Sequence, residues 1–422
     1  MTTPKSSYRQ LSYQKEKNND WWKRQDLRYV DGDLFLGNQN LYELACSAAK
    51  PCYVYNSSRI KENILRLHSA LESVSLPYRI FYAMKANRNF SVLTYIRGLG
   101  LSGVDCCSPQ ELILARQMGF LEKEITYTGT SVSKEDLTII ARHPSIFLNC
   151  DSLSQIRRVG QLNSRKEIGI RVNPKMGLSY ADKQELGYSG NKTTKFGIYK
   201  DSFVEALKLA NNYKLEVSGI HYHAGWGFLN SQLPKLEMVL NELHWFINQV
   251  PTLKYVNLGG GLGVPITQED HCLDVTEWAK IIAKFLANRD FHVFFEPGDY
   301  IVKDAGLLLL QINTIERKGD TNFVYVNGGF NINLEPAFYQ LPLEVVPLLL
   351  PKEKDIDSDG ITVTIAGNIN EAIDILATDI YLPPVQEGDF LAFLNAGGYG
   401  SSMSSNHCMR GDFMEYFIYN KS

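Results

Sequence analysis

Between about residue 80 and residue 296, short apolar runs alternate with longer segments of helical periodicity, and this alternation constrains the fold more than any other feature. Strand-like runs fall near 80–84, 102–106, 125–128, 146–150, 168–172, 217–222, 254–258 and 292–296. Helical patterns fill intervals at Pro109–Met118, Lys134–Arg142, Ser152–Gln161, Ser202–Tyr213, Leu233–Gln249 and Val275–Asn288. Ser133-Lys-Glu-Asp136 fits a capping box at the start of one of them. Eight strands alternating with helices over roughly 220–250 residues predict an α/β fold, a (β/α)8 TIM barrel, with a doubly wound open sheet as the competing architecture.

The rhythm differs on both sides of this region. Met1 to Asp20 is polar and lacks the apolar core of a signal peptide, and Trp21-Trp22 follow, suited to packing on the chain's own core or on a partner. Residues 28–36 and Cys52-Tyr-Val-Tyr read as strands. Ile60, Ile64, Leu67 and Leu71 then mark an amphipathic helix behind Asn56-Ser57-Ser58. After Glu296, strands are expected at 307–316, 322–327, 361–366, 389–394 and 413–418, with few helical stretches between them. Leu341–Leu350 reads as irregular and Lys352–Gly360 as a charged loop. The expected division is an N-terminal arm and strand over 1–50 that joins a β-rich domain, a cofactor-binding barrel over 51–305, and the C-terminal β domain over 306–422.

At 422 residues, 44% apolar and 21% charged, the composition is that of a soluble globular protein of more than one domain. A net charge of -3 gives no bulk-charge reason to expect nucleic acid or an anionic membrane. Seven scattered cysteines without a CxxC pair suggest reduced thiols in a cytoplasmic protein and argue against a zinc site. No apolar run approaches transmembrane length.

Barrel enzymes carry their active groups at the carboxyl ends of the strands, and four such ends here hold chemically suggestive residues. Lys85 follows the first strand, where an amine in a partly desolvated pocket can lose its proton and attack a carbonyl to form an imine. His221-Tyr-His223 ends the sixth; His223 suits stacking on an aromatic ring, and the two histidines without a third ligand make a poor metal site. Gly259-Gly260-Gly261 ends the seventh, where bare backbone can approach a phosphate. Glu296, before Pro297, ends the eighth and could hold a protonated ring nitrogen. Taken singly, each is as readily a solvated lysine, a core histidine, a turn or a rim carboxylate. Together they describe pyridoxal phosphate, an electron sink for a carbanion at an amino acid α-carbon.

The stretches Tyr82-Ala-Met-Lys85-Ala-Asn, Gly103-Val-Asp105-Cys-Cys-Ser108, Lys195-Phe-Gly-Ile, His221-Tyr-His223-Ala-Gly, Gly259-Gly-Gly-Leu-Gly, Glu296-Pro-Gly and Ala396-Gly-Gly-Tyr399-Gly resemble the alanine racemase-type (fold-type III) pyridoxal phosphate enzymes, among them the diaminopimelate, ornithine and arginine decarboxylases. The resemblance spans roughly residues 30 to 418 and is nearest the diaminopimelate group. It implies a carboxy-lyase in which Lys85 carries the cofactor, Glu296 binds the pyridine nitrogen, His223 stacks on the ring, Gly259, Gly260 and Gly261 cradle the phosphate and Tyr399 touches it, with Asp105 in the same cofactor-binding set. It also implies a homodimer with composite sites, the partner supplying the segment that reads here Gly367-Asn-Ile-Asn370-Glu371-Ala-Ile-Asp374.

Departures from the pattern bear on the substrate. Asn370 stands where the family has a cysteine associated with reprotonation, and asparagine has no proton to give at ordinary pH, so Lys85, Glu371, His407 or Cys408 become the candidates. The family's Glu-Pro-Gly-Arg ends here in Asp299, and its Arg-Pro-Ala-Leu-Tyr reads Glu335-Pro-Ala-Phe-Tyr339. Trp226 replaces the usual serine after His-x-Gly. If Asp299 and Glu335 face the pocket, a distal substrate carboxylate meets repulsion where the family offers an arginine clamp. The expected substrate-binding set is Asp299, Glu335, Tyr339, Asn370, Glu371 and Asp374. The expected activity is α-decarboxylation of a diamino or basic amino acid or a biosynthetic conjugate, as in siderophore or other secondary metabolism. A true meso-diaminopimelate decarboxylase, an amino-acid racemase and a cofactor-binding protein without turnover are the alternatives.

Overall fold

The computed structural model describes residues 21–190, 192–286, 289–351 and 360–420. The polar stretch Met1 to Asp20 and most of the charged loop Lys352–Gly360 lie outside the described residues.

The eight expected barrel strands are present: β1 (Tyr78–Ala83), β2 (Gly103–Cys106), β3 (Ile125–Tyr127), β4 (Phe147–Cys150), β5 (Glu167–Asn173), β6 (Glu216–His221), β7 (Tyr255–Asn257) and β8 (His292–Phe295). All neighbours are parallel, and the ring closes where β8 meets β1 with Val293 opposite Tyr78. Closure excludes the open doubly wound sheet. The barrel interior is filled by rings: Tyr255 stacks on Phe294 at 4.6 Å, and Phe147 meets Phe294 edge-on at 4.9 Å. Gly219 on β6 makes this possible, because a Cβ there would collide with the Tyr255 ring. The intervening helices begin at side-chain caps: Ser108 and Ser152 each accept from the amide three residues on, and Ser133 and Asp136 form the capping box.

A second, largely antiparallel sheet lies against the barrel. Its centre is the long strand Gly306–Lys318. Cys52–Asn56, read from the sequence as the opening of the barrel segment, pairs instead with Gly306–Lys318 on one side and Met414–Ile418 on the other. The boundary therefore falls after this strand, and the barrel is an insertion between two strands of one sheet. Two strands of this sheet escaped the sequence pattern. Ile375–Leu382 is an edge strand whose burial does not alternate cleanly, and Val345–Pro347 is a short run within the stretch expected to be irregular.

Residues 28–36 form a hairpin rather than one strand: Leu27–Val30 and Asp33–Leu36 pair antiparallel about Asp31-Gly32, both at positive φ (53° and 93°). Its apolar face packs Leu27, Leu34 and Leu36 on Leu307, Leu309 and Leu348 of the second sheet. Trp22 is buried in the same cluster, and Trp21 Nε1 donates to Glu344 Oε2 at 3.1 Å, so both tryptophans dock on their own chain.

Candidate active site

Lys85 sits in the turn that leaves β1, and backbone bonds pin this turn on three sides. Ala83 N–H donates to Pro297 O, Met84 N–H to Asp105 O, and Tyr399 N–H to Ala86 O. Asn87 Nδ2 adds a bond to Gly397 O at 2.9 Å. The Lys85 ammonium lies 3.6 Å from Asp105 Oδ2. Burial by itself drives a lysine toward losing its proton, the behaviour expected from the sequence. Here burial lowers the Lys85 amine, but Asp105 and the neighbouring Tyr399, Cys107 and Tyr188 outweigh it and hold Lys85 above its ordinary value, while burial and Glu296 push the Asp105 carboxyl up in turn, so the two groups hold a proton between them.

Glu296, just past β8, is 3% exposed, and both of its oxygens are engaged. His221 Nε2, at the end of β6, lies 3.0 Å from Oε2. Asn257 Nδ2, at the end of β7, donates to Oε1 at 2.5 Å. Asn257 Oδ1 in turn accepts from Gly259 N–H at 2.9 Å, and Glu296 N–H donates to Gly259 O, so the carboxylate and the glycine turn are built as one unit. Burial pushes the Glu296 carboxyl up, but His221 and the other donors prevail and hold it down at about 2. His221 Nδ1 is buried without a partner, so an imidazolium would bury an unpaired N–H, and burial keeps the ring neutral. An ionised Glu296 beside a neutral His221 carries one negative charge and calls for a cation.

His223 is also held well below its ordinary value, first by burial and then by the positive charge of Lys85. Its ring stacks against Tyr188 with centroids 4.7 Å apart. Next to it, the turn at Gly259-Gly260-Gly261 admits no side chains. A Cβ at Gly259 would lie 2.6 Å from Tyr222 O, one at Gly261 2.5 Å from Gly225 O, and one at Gly260 would overlap Glu296 O. The residues fit pyridoxal phosphate: an amine for the aldehyde, a neutral ring for stacking, an anion for a protonated ring nitrogen and bare backbone for a phosphate.

The remaining expected residues fall into two groups. Tyr399, at φ 57°, is partly buried beside the Lys85 turn, and Tyr339 packs in the cluster around Trp226. Asp299 and Glu335 are buried, 5% and 4% exposed, and both close on Lys303. Asn370, Glu371, His407 and Cys408 gather elsewhere, on the exposed outer face of the second sheet's loops, where His407 Nε2 lies 3.3 Å from Glu371 Oε1. Among the described residues, no hydrogen bond or ion pair joins these four to Lys85. Asp374, expected to bind substrate, is buried, and its two oxygens accept from Phe330 N–H at 2.7 Å and Ile369 N–H at 2.6 Å.

Sequence reasoning missed His221 and Asn257 as partners of Glu296, and it missed Lys303. For the first two the signal was a polar residue closing a buried strand; for Lys303 it was a cation one helical turn after Asp299. Among the described residues no group of three or more His, Cys, Asp or Glu could hold a metal ion, and no helix is long and apolar enough to cross a membrane.

The family model for the pyridoxal-dependent decarboxylases, pyridoxal binding domain, matches residues 57–303, which include Lys85, Asp105, His223, the glycine turn and Glu296. The diaminopimelate decarboxylase of Methanothermobacter thermautotrophicus is 34% identical over 390 residues, covering 90% of this chain and 89% of that protein. The Aquifex aeolicus enzyme of the same name is 31% identical over 408 residues, covering 94% and 93%. Among solved structures, the diaminopimelate decarboxylase of Helicobacter pylori complexed with L-lysine superposes with a TM-score of 0.81 at 26% identity, covering 90% of this chain and 95% of that one. With the amine, the anion and the glycine turn in place at the strand ends of a closed barrel, the chain belongs to the pyridoxal-dependent decarboxylases, carboxy-lyases that act on amino acids.

Proposed function

We propose that this chain removes the α-carboxylate of a diamino or basic amino acid, or of a biosynthetic conjugate of one, and that it is not dedicated to meso-diaminopimelate. The observation that carries this is the pairing of Asp299 and Glu335 with Lys303. The ammonium between them is already bound by two carboxylates, so these three residues offer no free fork for a distal carboxylate.

In this reading Lys85 holds the cofactor, Glu296 keeps its ring nitrogen protonated, and His223 supports the ring. Gly259, Gly260 and Gly261, with Tyr399, receive its phosphate. When bound, pyridoxal phosphate supplies the electron sink that makes loss of carbon dioxide possible. Lys85 and Asp105, 3.6 Å apart, hold a proton between them once the amine is free, which makes Lys85 a proton carrier at the α-carbon. His407, Cys408 and Glu371 serve the site of a second copy in a homodimer. Their exposure, together with that of Phe338, Ile373 and Met409, supports this arrangement. The seven free thiols are in keeping with a cytoplasmic protein.

Carbon dioxide release from meso-diaminopimelate, lysine, ornithine and arginine tests the proposal, with chiral analysis of the remaining amino acid. Release from lysine, ornithine or arginine is expected. Scrambled chirality without gas would make the protein a racemase, and an unchanged cofactor absorbance band with every amino acid would make it a binding protein. Consumption of meso-diaminopimelate alone would overturn the substrate proposal.

A further inference from the structure

Three of the departures from the family pattern, at positions 226, 299 and 335, lie far apart along the chain and meet at one atom. Lys303 Nζ is 2.6 Å from Glu335 Oε2, 3.6 Å from Asp299 Oδ2 and 5.0 Å from the centre of the Trp226 ring. The Lys303 side chain is 3% exposed and those of the two acids 5% each. Lys303 follows Asp299 by one helical turn, which puts both on the same face of the short helical segment after β8.

The charges in this cluster do not cancel. Two carboxylates and one ammonium leave one negative charge when all are ionised. Burial opposes the charge on Lys303, but Asp299 and Glu335 together keep it above its ordinary value. Glu335 takes the short, charge-assisted bond. Asp299 is left with two buried oxygens that receive no hydrogen bond. A buried carboxylate in that condition is strongly disfavoured unless it gains a proton or a donor.

The location of Asp299 indicates which donor. Its Oδ1 presses on Gly398, where any side chain would collide with it. Gly398 precedes Tyr399, whose N–H binds Ala86 O in the Lys85 turn. Gly298, on the other side, packs on Ala83 and Ala86 of the same turn. The carboxylate thus borders a glycine whose neighbour Tyr399 bonds the Lys85 turn, and it follows a glycine that packs on that turn. Trp226, which borders Lys303, shares one apolar cluster with Tyr339 and Tyr399.

We propose that Asp299, held by Lys303 and roofed by Trp226, receives the ammonium at the far end of the substrate, and that Lys303 is the specificity-determining residue that makes this acidic wall tenable. The inference rests on the decarboxylase function proposed above and narrows its substrate to amino acids whose far end is an amine without an adjoining carboxylate. A far carboxylate would face two acids across a buried wall, with the ammonium between them already engaged. Lys303 acts through Asp299 and Glu335, so its part is positioning.

The test compares kcat/KM for lysine, ornithine and meso-diaminopimelate in the wild type, Asp299→Asn, Lys303→Met and Lys303→Arg. Calorimetric binding of cadaverine and putrescine to each protein accompanies it, and thermal melting confirms folding. The wild type should prefer lysine or ornithine at least tenfold. Asp299→Asn should lose about tenfold on these through KM with kcat little changed, and should weaken diamine binding to a similar extent. Lys303→Arg should retain the preference and Lys303→Met should abolish it. Equal or better use of meso-diaminopimelate by the wild type, or diamine binding indifferent to Asp299→Asn, overturns the inference while leaving the decarboxylase intact. If no amino acid releases carbon dioxide, the proposed function fails, and diamine binding sensitive to Asp299→Asn still upholds the wall. If either substitution fails to fold, Lys303→Arg and the wild-type preference decide.

Discussion

Lys85 and Glu296 are both tuned by their buried neighbours. Lys85 has Asp105 across the site, and Glu296 has the neutral His221 behind it. Lys85→Ala should abolish the imine absorbance band on adding pyridoxal phosphate while the melting temperature stays within a few degrees; a persisting band would place the imine on another lysine. Asp299 provides a pH prediction. Burial pushes it up from 3.8 to about 7, against the pull of Lys303 and with Glu335 and Asp304 adding to the rise. A raised carboxyl favours the folded state where it is protonated. Its contribution is complete below pH 3.8 and is lost as pH rises through about 7. The ligand-free protein should therefore lose on the order of a few kcal/mol of stability across that window from this group. Asp299→Asn should flatten the slope in urea unfolding followed from pH 4 to 8.

At the scale of elements, the glycine turn after β7 shows how a short loop can be fixed by its neighbours. Gly260 lies against the carbonyl of Glu296, so Gly260→Ala must push β7 and β8 apart at their carboxyl ends. The expected result is a loss of roughly 1–3 kcal/mol of stability and a weaker hold on pyridoxal phosphate, read by melting and by cofactor equilibrium dialysis. Retained affinity would mean that the phosphate does not rest on this turn. The strands and helices of the barrel were legible within one or two residues, because each is a buried apolar run or a capped amphipathic segment. Ile375–Leu382 was not legible, since an edge strand half in solvent has no burial pattern to display.

For the whole molecule, the joining of barrel and sheet through Cys52–Asn56 has a mechanical consequence. This strand precedes the barrel in the chain yet lies between Gly306–Lys318 and Met414–Ile418, so the sheet cannot form without bringing the two ends of the barrel together. Leu308→Ala, at a fully buried position of the central strand, should cost about 2–5 kcal/mol. It should lower the transition of both regions together in denaturant. The proposed composite sites can be tested by mixing two inactive variants, Lys85→Ala and Glu371→Ala. Mixed dimers carry one intact site, and activity should recover to roughly a quarter of the wild type after random exchange. No recovery would confine each site to a single chain.

The alternation of strand and helix, the lysine, the glutamate, the glycine run and the histidine can be read along the chain. Each depends on local pattern or on a strand end that the barrel topology places by rule. The tertiary structure alone decided their partners: His221 and Asn257 on Glu296, Asp105 on Lys85, and Lys303 between Asp299 and Glu335. Two acids in place of two arginines looked, from the sequence, like bare repulsion. Folded, they surround a cation, because the charge a side chain experiences is set by what lies within a few ångströms of it, and for residues tens of positions apart that proximity exists only after the chain has closed.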